Sequence, residues 1–147
     1  MNSDVDLMCL LLKAKQYQDD GSIEMARSAY LDVWYRSDAY GDDYHACIAA
    51  HMLGIMDSLS LEEKLLWHLA SLDRANRVGD GRTEGFYASI HTNLGYVYVQ
   101  LGRHKVALKH YCDAQRYAES LRDDEYATNV KTGIAEGLQT LHVAAKT

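Results

Sequence analysis

The stretch Asn93-Leu94-Gly95-Tyr96-Val97-Tyr98-Val99-Gln100-Leu101-Gly102, NLGYVYVQLG, decides how this chain reads. Ile90, Leu94, Val97/Tyr98 and Leu101 recur at i, i+4, i+7/8 and i+11, the period of an amphipathic helix. Yet a glycine stands inside that helix, where it costs about 1 kcal/mol relative to alanine. Gly95 therefore predicts a close approach of two helices, and Gly102 a helix end that needs a left-handed residue. Beyond it a second stripe runs through Ala107, Tyr111, Ala114, Ala118 and Leu121. The link is so short that the two helices must form an antiparallel hairpin.

The same pair occurs at the start of the chain. Ala14, Tyr17, Gly21, Ala26, Tyr30, Val33 and Ser37 have the same spacings as Gly95, Tyr98, Gly102, Ala107, Tyr111, Ala114 and Ala118, 81 residues later. This is an internal repeat. A looser copy lies between them. Leu53-Gly54 matches Leu94-Gly95, and a second helix carries Leu61, Leu65, His68/Leu69, Leu72 and Ala75 behind the candidate capping box Ser60-Leu61-Glu62-Glu63. The units close alike, in SDAYGD (37–42), ANRVGD (75–80) and AESLRD (118–123). Gly54 to Asp80 is two residues shorter than Gly95 to Asp123, which places a deletion in or near the middle turn. A last segment with Tyr126, Val130, Ile134, Leu138 and Leu141 has no partner helix and reads as a cap.

These residues resemble the tetratricopeptide repeat, in a longer-spaced variant of about 40 residues per unit. The family's pattern is met by His91, Leu94, Gly95, Tyr98, Gly102, Ala107, Tyr111 and Ala114; His91 replaces the usual large aromatic, and the closing proline is missing. The resemblance implies an all-α fold: a right-handed α-solenoid of three helix-turn-helix repeats plus a C-terminal capping helix. Residues 1–147 then form one domain, with repeats at 5–42, 43–80 and 84–123 and the cap at 124–144.

Composition sets further bounds. The chain of 147 residues has no proline, 48% hydrophobic residues and a net charge of −6, so attraction to nucleic-acid phosphates or anionic membranes is not expected. No apolar run reaches the length of a membrane span. The opening residues through Asp6 are acidic, unlike a secretory signal. Three widely spaced cysteines, Cys9, Cys47 and Cys112, read as reduced thiols of a cytoplasmic protein.

In the tetratricopeptide family the first helix of each pair lines a concave groove. The resemblance therefore places a protein- or peptide-binding groove at Leu11 and Lys15, at Ile48, His51 and Ile55, and at Ser89, Thr92, Tyr96 and Val99, with Val130 and Lys131 closing one end. The family's clamp for a terminal carboxylate falls on Leu11, Lys15, Met52, Ser89 and Asn93; only Asn93 suits it, so that ligand is not expected.

Asp43, Cys47 and His51 form a stripe of zinc-ligand types. They span about 12 Å, too far for one ion. They read instead as a capping carboxylate, a half-buried thiol and a groove imidazole, so no metal is expected. No motif sets a base beside Cys47 or Cys112, and no phosphate loop is present, so neither catalysis nor a cofactor is expected. Arg103, His104, Lys105, Lys109 and His110 form a local basic patch, suited to an acidic partner or simply solvated. Of Trp34 and Tyr35, one must be exposed. The expected role is a small cytoplasmic adaptor or assembly factor. The alternative is a ligand-gated regulator that senses a peptide or small molecule. Three repeats are near the minimum for stability, which leaves a homodimer open.

Overall fold

The computed structural model describes residues 3–146; Met1, Asn2 and Thr147, which belong to the predicted domain, lie outside the described residues. The protein is all-α. Its helices are α1 (Ser3–Asp19), α2 (Ile23–Tyr40), α3 (Asp43–Gly54), α4 (Leu61–Val78), α5 (Tyr87–Gln100), α6 (His104–Ala118) and α7 (Glu125–Ala145), with a 3-10 turn at Glu84–Phe86. Each helix packs on its neighbours in the chain, α1 also touches α3, and α7 packs on both α5 and α6. Among the described residues no helix is long and apolar enough to cross a membrane.

The two well-matched hairpins turn by the same hydrogen bonds. Gly102 has φ +77°, Arg103 N–H donates to Tyr98 C=O at 2.8 Å and Gly102 N–H to Val99 C=O at 3.0 Å. Gly21 has φ +80°, and Ser22 and Gly21 bond to Tyr17 and Gln18 at 2.8 and 3.1 Å. Both are Schellman-type ends, which satisfy the last carbonyls of the helix. The middle hairpin differs. It has no left-handed glycine, so α3 stops at Gly54, and residues 55–60 make a connection longer than the three-residue links after α1 and α5. The missing residues come from the helix, not from the turn. Met56 folds back to 5% exposure and anchors that connection. Ser60 then caps α4 by accepting from Glu63 N–H at 3.2 Å, while its hydroxyl donates to the Glu63 carboxylate.

Close approach explains the interior glycines. A Cβ on Gly95 would lie 2.8 Å from Tyr111 Cζ, and one on Gly54 would lie 2.6 Å from His68 Cε1. Sixteen residues separate Gly95 from Tyr111 and Ala14 from Tyr30, but fourteen separate Gly54 from His68. The two-residue deletion thus lies between the small residue and its ring. Tyr111 is also confined by Gly137 of α7, where no side chain fits either. Tyr30 and Tyr111 are among the largest fully buried side chains, and alanines 14, 26, 75, 88, 107, 114 and 118 let the helices around them pack closely.

At the α2–α4 face Tyr35 is the exposed member of its pair and Trp34 the half-buried one. It meets Trp67 edge-on at 5.3 Å, and the Arg74 guanidinium sits 4.7 Å from its ring while bonding Asp38 and Asp43 at 2.8 and 3.2 Å. Tyr35 points away and is 66% exposed.

Candidate functional site

Helix α3 starts where Asp42 accepts from His45 N–H at 3.0 Å; its second oxygen meets His45 Nδ1 at 2.7 Å. The capping carboxylate is therefore Asp42, and Asp43 turns instead to Arg74. From this start α3 presents Cys47, Ile48 and His51 to a largely apolar cavity of about 450 Å3. Ser71 of α4, Phe86 of the 3-10 turn, Ser89 and Ile90 of α5, and Tyr126 of α7 complete its walls. Such a volume lies within the range of small-ligand and side-chain pockets.

The polar groups around the cavity are mostly paired. Tyr126 Oη donates to Gly85 C=O at 2.8 Å, which leaves the Ser89 hydroxyl to donate to Tyr126 at 2.7 Å. This chain of bonds ties α7 to the start of α5 across the rim. Ser71 Oγ donates to Cys47 C=O at 3.0 Å, so the thiol can donate to Ser71 Oγ at 3.4 Å. Burial pushes the Cys47 thiol up, with the Ser71 contact opposing it in part. Burial thus favours the protonated thiol.

His51 is the exception. Its Nδ1 is buried without a hydrogen-bond partner among the described residues, and so is that of His68 behind it, with ring centroids 6.3 Å apart. Desolvation pushes both imidazoles down, His68 to about 4 with His51 as a secondary cause. Both are neutral at pH 7. Each unpaired nitrogen costs roughly 1–3 kcal/mol.

A second depression of about 480 Å3 continues from Ile48, which lines both, toward Met8, Leu11, Leu12 and Lys15 of α1 and Met52 of α3. Between the two, Tyr44 stacks on Phe86 at 5.9 Å, and the Arg82 guanidinium lies 4.5 Å from the Tyr44 ring.

The predicted groove residues divide accordingly. Ile48, His51 and Ser89 line the cavity, and Leu11, Lys15 and Ile48 line its extension. Ile55 and Tyr96 are exposed. Thr92 is turned against α7: its hydroxyl donates to Ala88 C=O at 2.7 Å, and its methyl lies 3.4 Å from where a Gly133 Cβ would stand. Val99 packs on the core around Leu94 and Tyr98 instead of facing a groove. On α7 Tyr126, Val130 and Gly133 face α5, with Val130 buried against Ala88, and Gly137 meets the Tyr111 ring of α6. Lys131 is one helical step round and lies beside Gln115 and Glu119 of α6, away from the cavity.

The Asp43, Cys47, His51 stripe does not converge, and Cys47 is fully buried, not half-buried. Within the basic patch Lys105 and Lys109 are exposed, whereas His110 turns inward. Phe86, Ser71 and Tyr126 escaped the sequence reading as cavity residues. Phe86 lies in a non-repeating connection, Ser71 is polar on an otherwise apolar stripe, and Tyr126 read only as the first residue of the cap.

No protein-family model matches the chain, and no curated protein or solved structure matches it.

Proposed function

We propose that this chain is a protein-binding module of the tetratricopeptide type, three helix pairs stacked in a right-handed solenoid and closed by α7. In this reading it takes an extended or helical peptide along α1, α3 and α5, as a small cytoplasmic adaptor or assembly factor. One observation supports it: an apolar cavity opens at Ile48, His51 and Ser89, positions that the tetratricopeptide resemblance assigns to the groove. Ile48 also lines the apolar depression beside Leu11 and Met52, so the two depressions share a wall. A large apolar side chain of the partner enters the cavity, and its backbone runs toward Lys15. A peptide laid in such a groove is read mainly by its apolar and aromatic anchors. The exposed thiols of Cys9 and Cys112 suit a reducing compartment. A Cys47 whose burial favours the protonated thiol, and the lack of a base in contact with it, give catalysis no support.

The test is selection from a displayed peptide library, repeated with Ile48→Glu, whose carboxylate would occupy the junction of both depressions. Enrichment of peptides with a bulky apolar residue by the wild type, lost in a variant with unchanged circular dichroism, supports the groove. Equal enrichment by both refutes it. The cavity's volume also favours the second reading, a regulator gated by a small apolar ligand. A compound bound there at a hundred times its Kd would add about 2.7 kcal/mol of stability, which a thermal-shift screen detects.

A further inference from the structure

Outside the cavity, three metal-ligating side chains converge between α5 and α6. His91 Nδ1 and His110 Nδ1 stand 3.0 Å apart, and one ring nitrogen of each histidine and a carboxylate oxygen of Asp113 all lie within 4.8 Å of one another. His110 and Asp113 are three residues apart on α6 and so share a face; His91 projects from α5 across from them. The rings are held by their neighbours. His91 lies nearly parallel to Tyr117, with centroids 5.6 Å apart, and His110 nearly parallel to Tyr98 at 5.4 Å.

We propose that His91, His110 and Asp113 form a binding site for a zinc-class divalent ion, with water completing its coordination. Two imidazole nitrogens and a carboxylate oxygen are the donor set that suits zinc. An ion 2.0–2.1 Å from each nitrogen in tetrahedral geometry needs them about 3.3 Å apart, a few tenths of an ångström beyond their present separation. Without metal, one ring donates Nδ1–H to the other. Coordination requires that proton on the far nitrogen, a change of tautomer with no change of charge. Imidazole ligates a metal in its neutral form. Arg116 bonds one Asp113 oxygen at 3.2 Å, but it is 68% exposed, and a carboxylate has about four acceptor positions.

The other converging group, Asp4, Asp42 and His45, is already committed: Asp42 caps α3 and holds the His45 ring. The His91 site shares no residue with the cavity, so it stands or falls independently of the proposed groove.

The test is calorimetric titration of the chelator-treated full chain with Zn2+, with Co2+ absorption reporting geometry. One saturable ion per chain and tetrahedral cobalt bands are expected. Binding should be lost in His110→Ala and weakened at least about tenfold in Asp113→Asn, since even outer-shell losses at metal sites cost that much. His91 is buried, so these two variants, each checked for native circular dichroism, carry the test. Absence of a saturable site in the wild type overturns the proposal and leaves an N–H···N hydrogen bond. Undiminished binding in His110→Ala, or loss only in Asp42→Asn/His45→Gln, overturns it as well.

Discussion

Replacing Gly95 by alanine separates helix propensity from packing. Propensity alone favours alanine by about 1 kcal/mol. The new Cβ, however, would stand 2.8–2.9 Å from Cζ, Cε1 and Cε2 of Tyr111, distances that real contacts do not reach. Gly137 of α7 also abuts the ring, where a Cβ would overlap Cζ, so both α5 and α7 confine it. Overpacking of this kind costs about 1–3 kcal/mol, and a ring confined by two helices belongs at the upper end. The expected net loss is about 2 kcal/mol, or roughly 4–8 °C in Tm for a domain of this size. Gly133→Ala is the internal control. It meets only the Thr92 methyl at 3.4 Å, so the propensity gain survives, and Tm should rise by roughly 2–4 °C. Calorimetry of both variants, with Gly95→Ala repeated on a Tyr111→Leu background, gives the coupling directly. A Gly95→Ala protein as stable as Gly133→Ala, or a cost unchanged when Tyr111 is removed, would refute the close-approach account.

Two further outcomes follow from single residues. The buried His68 imidazole, at about 4, binds a proton less tightly than an unfolded histidine at 6.5, so the unfolded state holds more protons in between. Stability should therefore fall as pH drops from 6.5 to about 4, by about 3 kcal/mol from this group. Urea midpoints at both ends should show His68→Leu with a flatter slope; an unchanged slope contradicts the assignment. Asp42→Ala removes both the α3 cap and the His45 ring contact. A loss of 1–2 kcal/mol in urea titration is expected, and a loss near zero would show the cap to be idle.

The fold was legible because its determinants are local. Glycines at fixed offsets end α1 and α5, and a small residue repeatedly faces a ring sixteen residues on; both features survive in sequence as spacing. The middle pair was harder to read. Its deletion removed helix, not turn, and nothing in a periodic pattern says which of the two gives way. The site was legible only in part. Ile48, His51 and Ser89, which the resemblance put on one face, do line one cavity, since the helical period fixes which face of a helix a residue occupies. Thr92 and Val99 were assigned by the same resemblance and Lys131 as a residue of the cap, yet neither reading can say where α7 lies. That packing covers Thr92 and swings Lys131 toward α6. Phe86 and Tyr126 line the cavity from outside the repeating helices, where the register carries no information. The convergence of His91, His110 and Asp113 spans two helices and depends on ring rotamers, so no spacing announces it.

The three small-and-large pairs carry a last argument. Ala14 with Tyr30 and Gly95 with Tyr111 close their hairpins around a phenol ring, whereas Gly54 closes on His68. A phenol there buries its ring without an unpaired nitrogen; His68 leaves Nδ1 unpaired and stands beside His51, which is unpaired as well. Two such nitrogens cost several kcal/mol, a large share of the roughly 5–15 kcal/mol that holds a domain together. The hairpin that bears this cost also lacks the turn glycine, has the shortest α-helix, and supplies Cys47, Ile48, His51 and Ser71 to the cavity. Departures from local rules concentrate where a protein trades stability for use. In this chain two of the three buried side-chain atoms without a partner among the described residues, on His51 and His68, fall on α3 and α4, and the third, Ser37 Oγ, lies on α2.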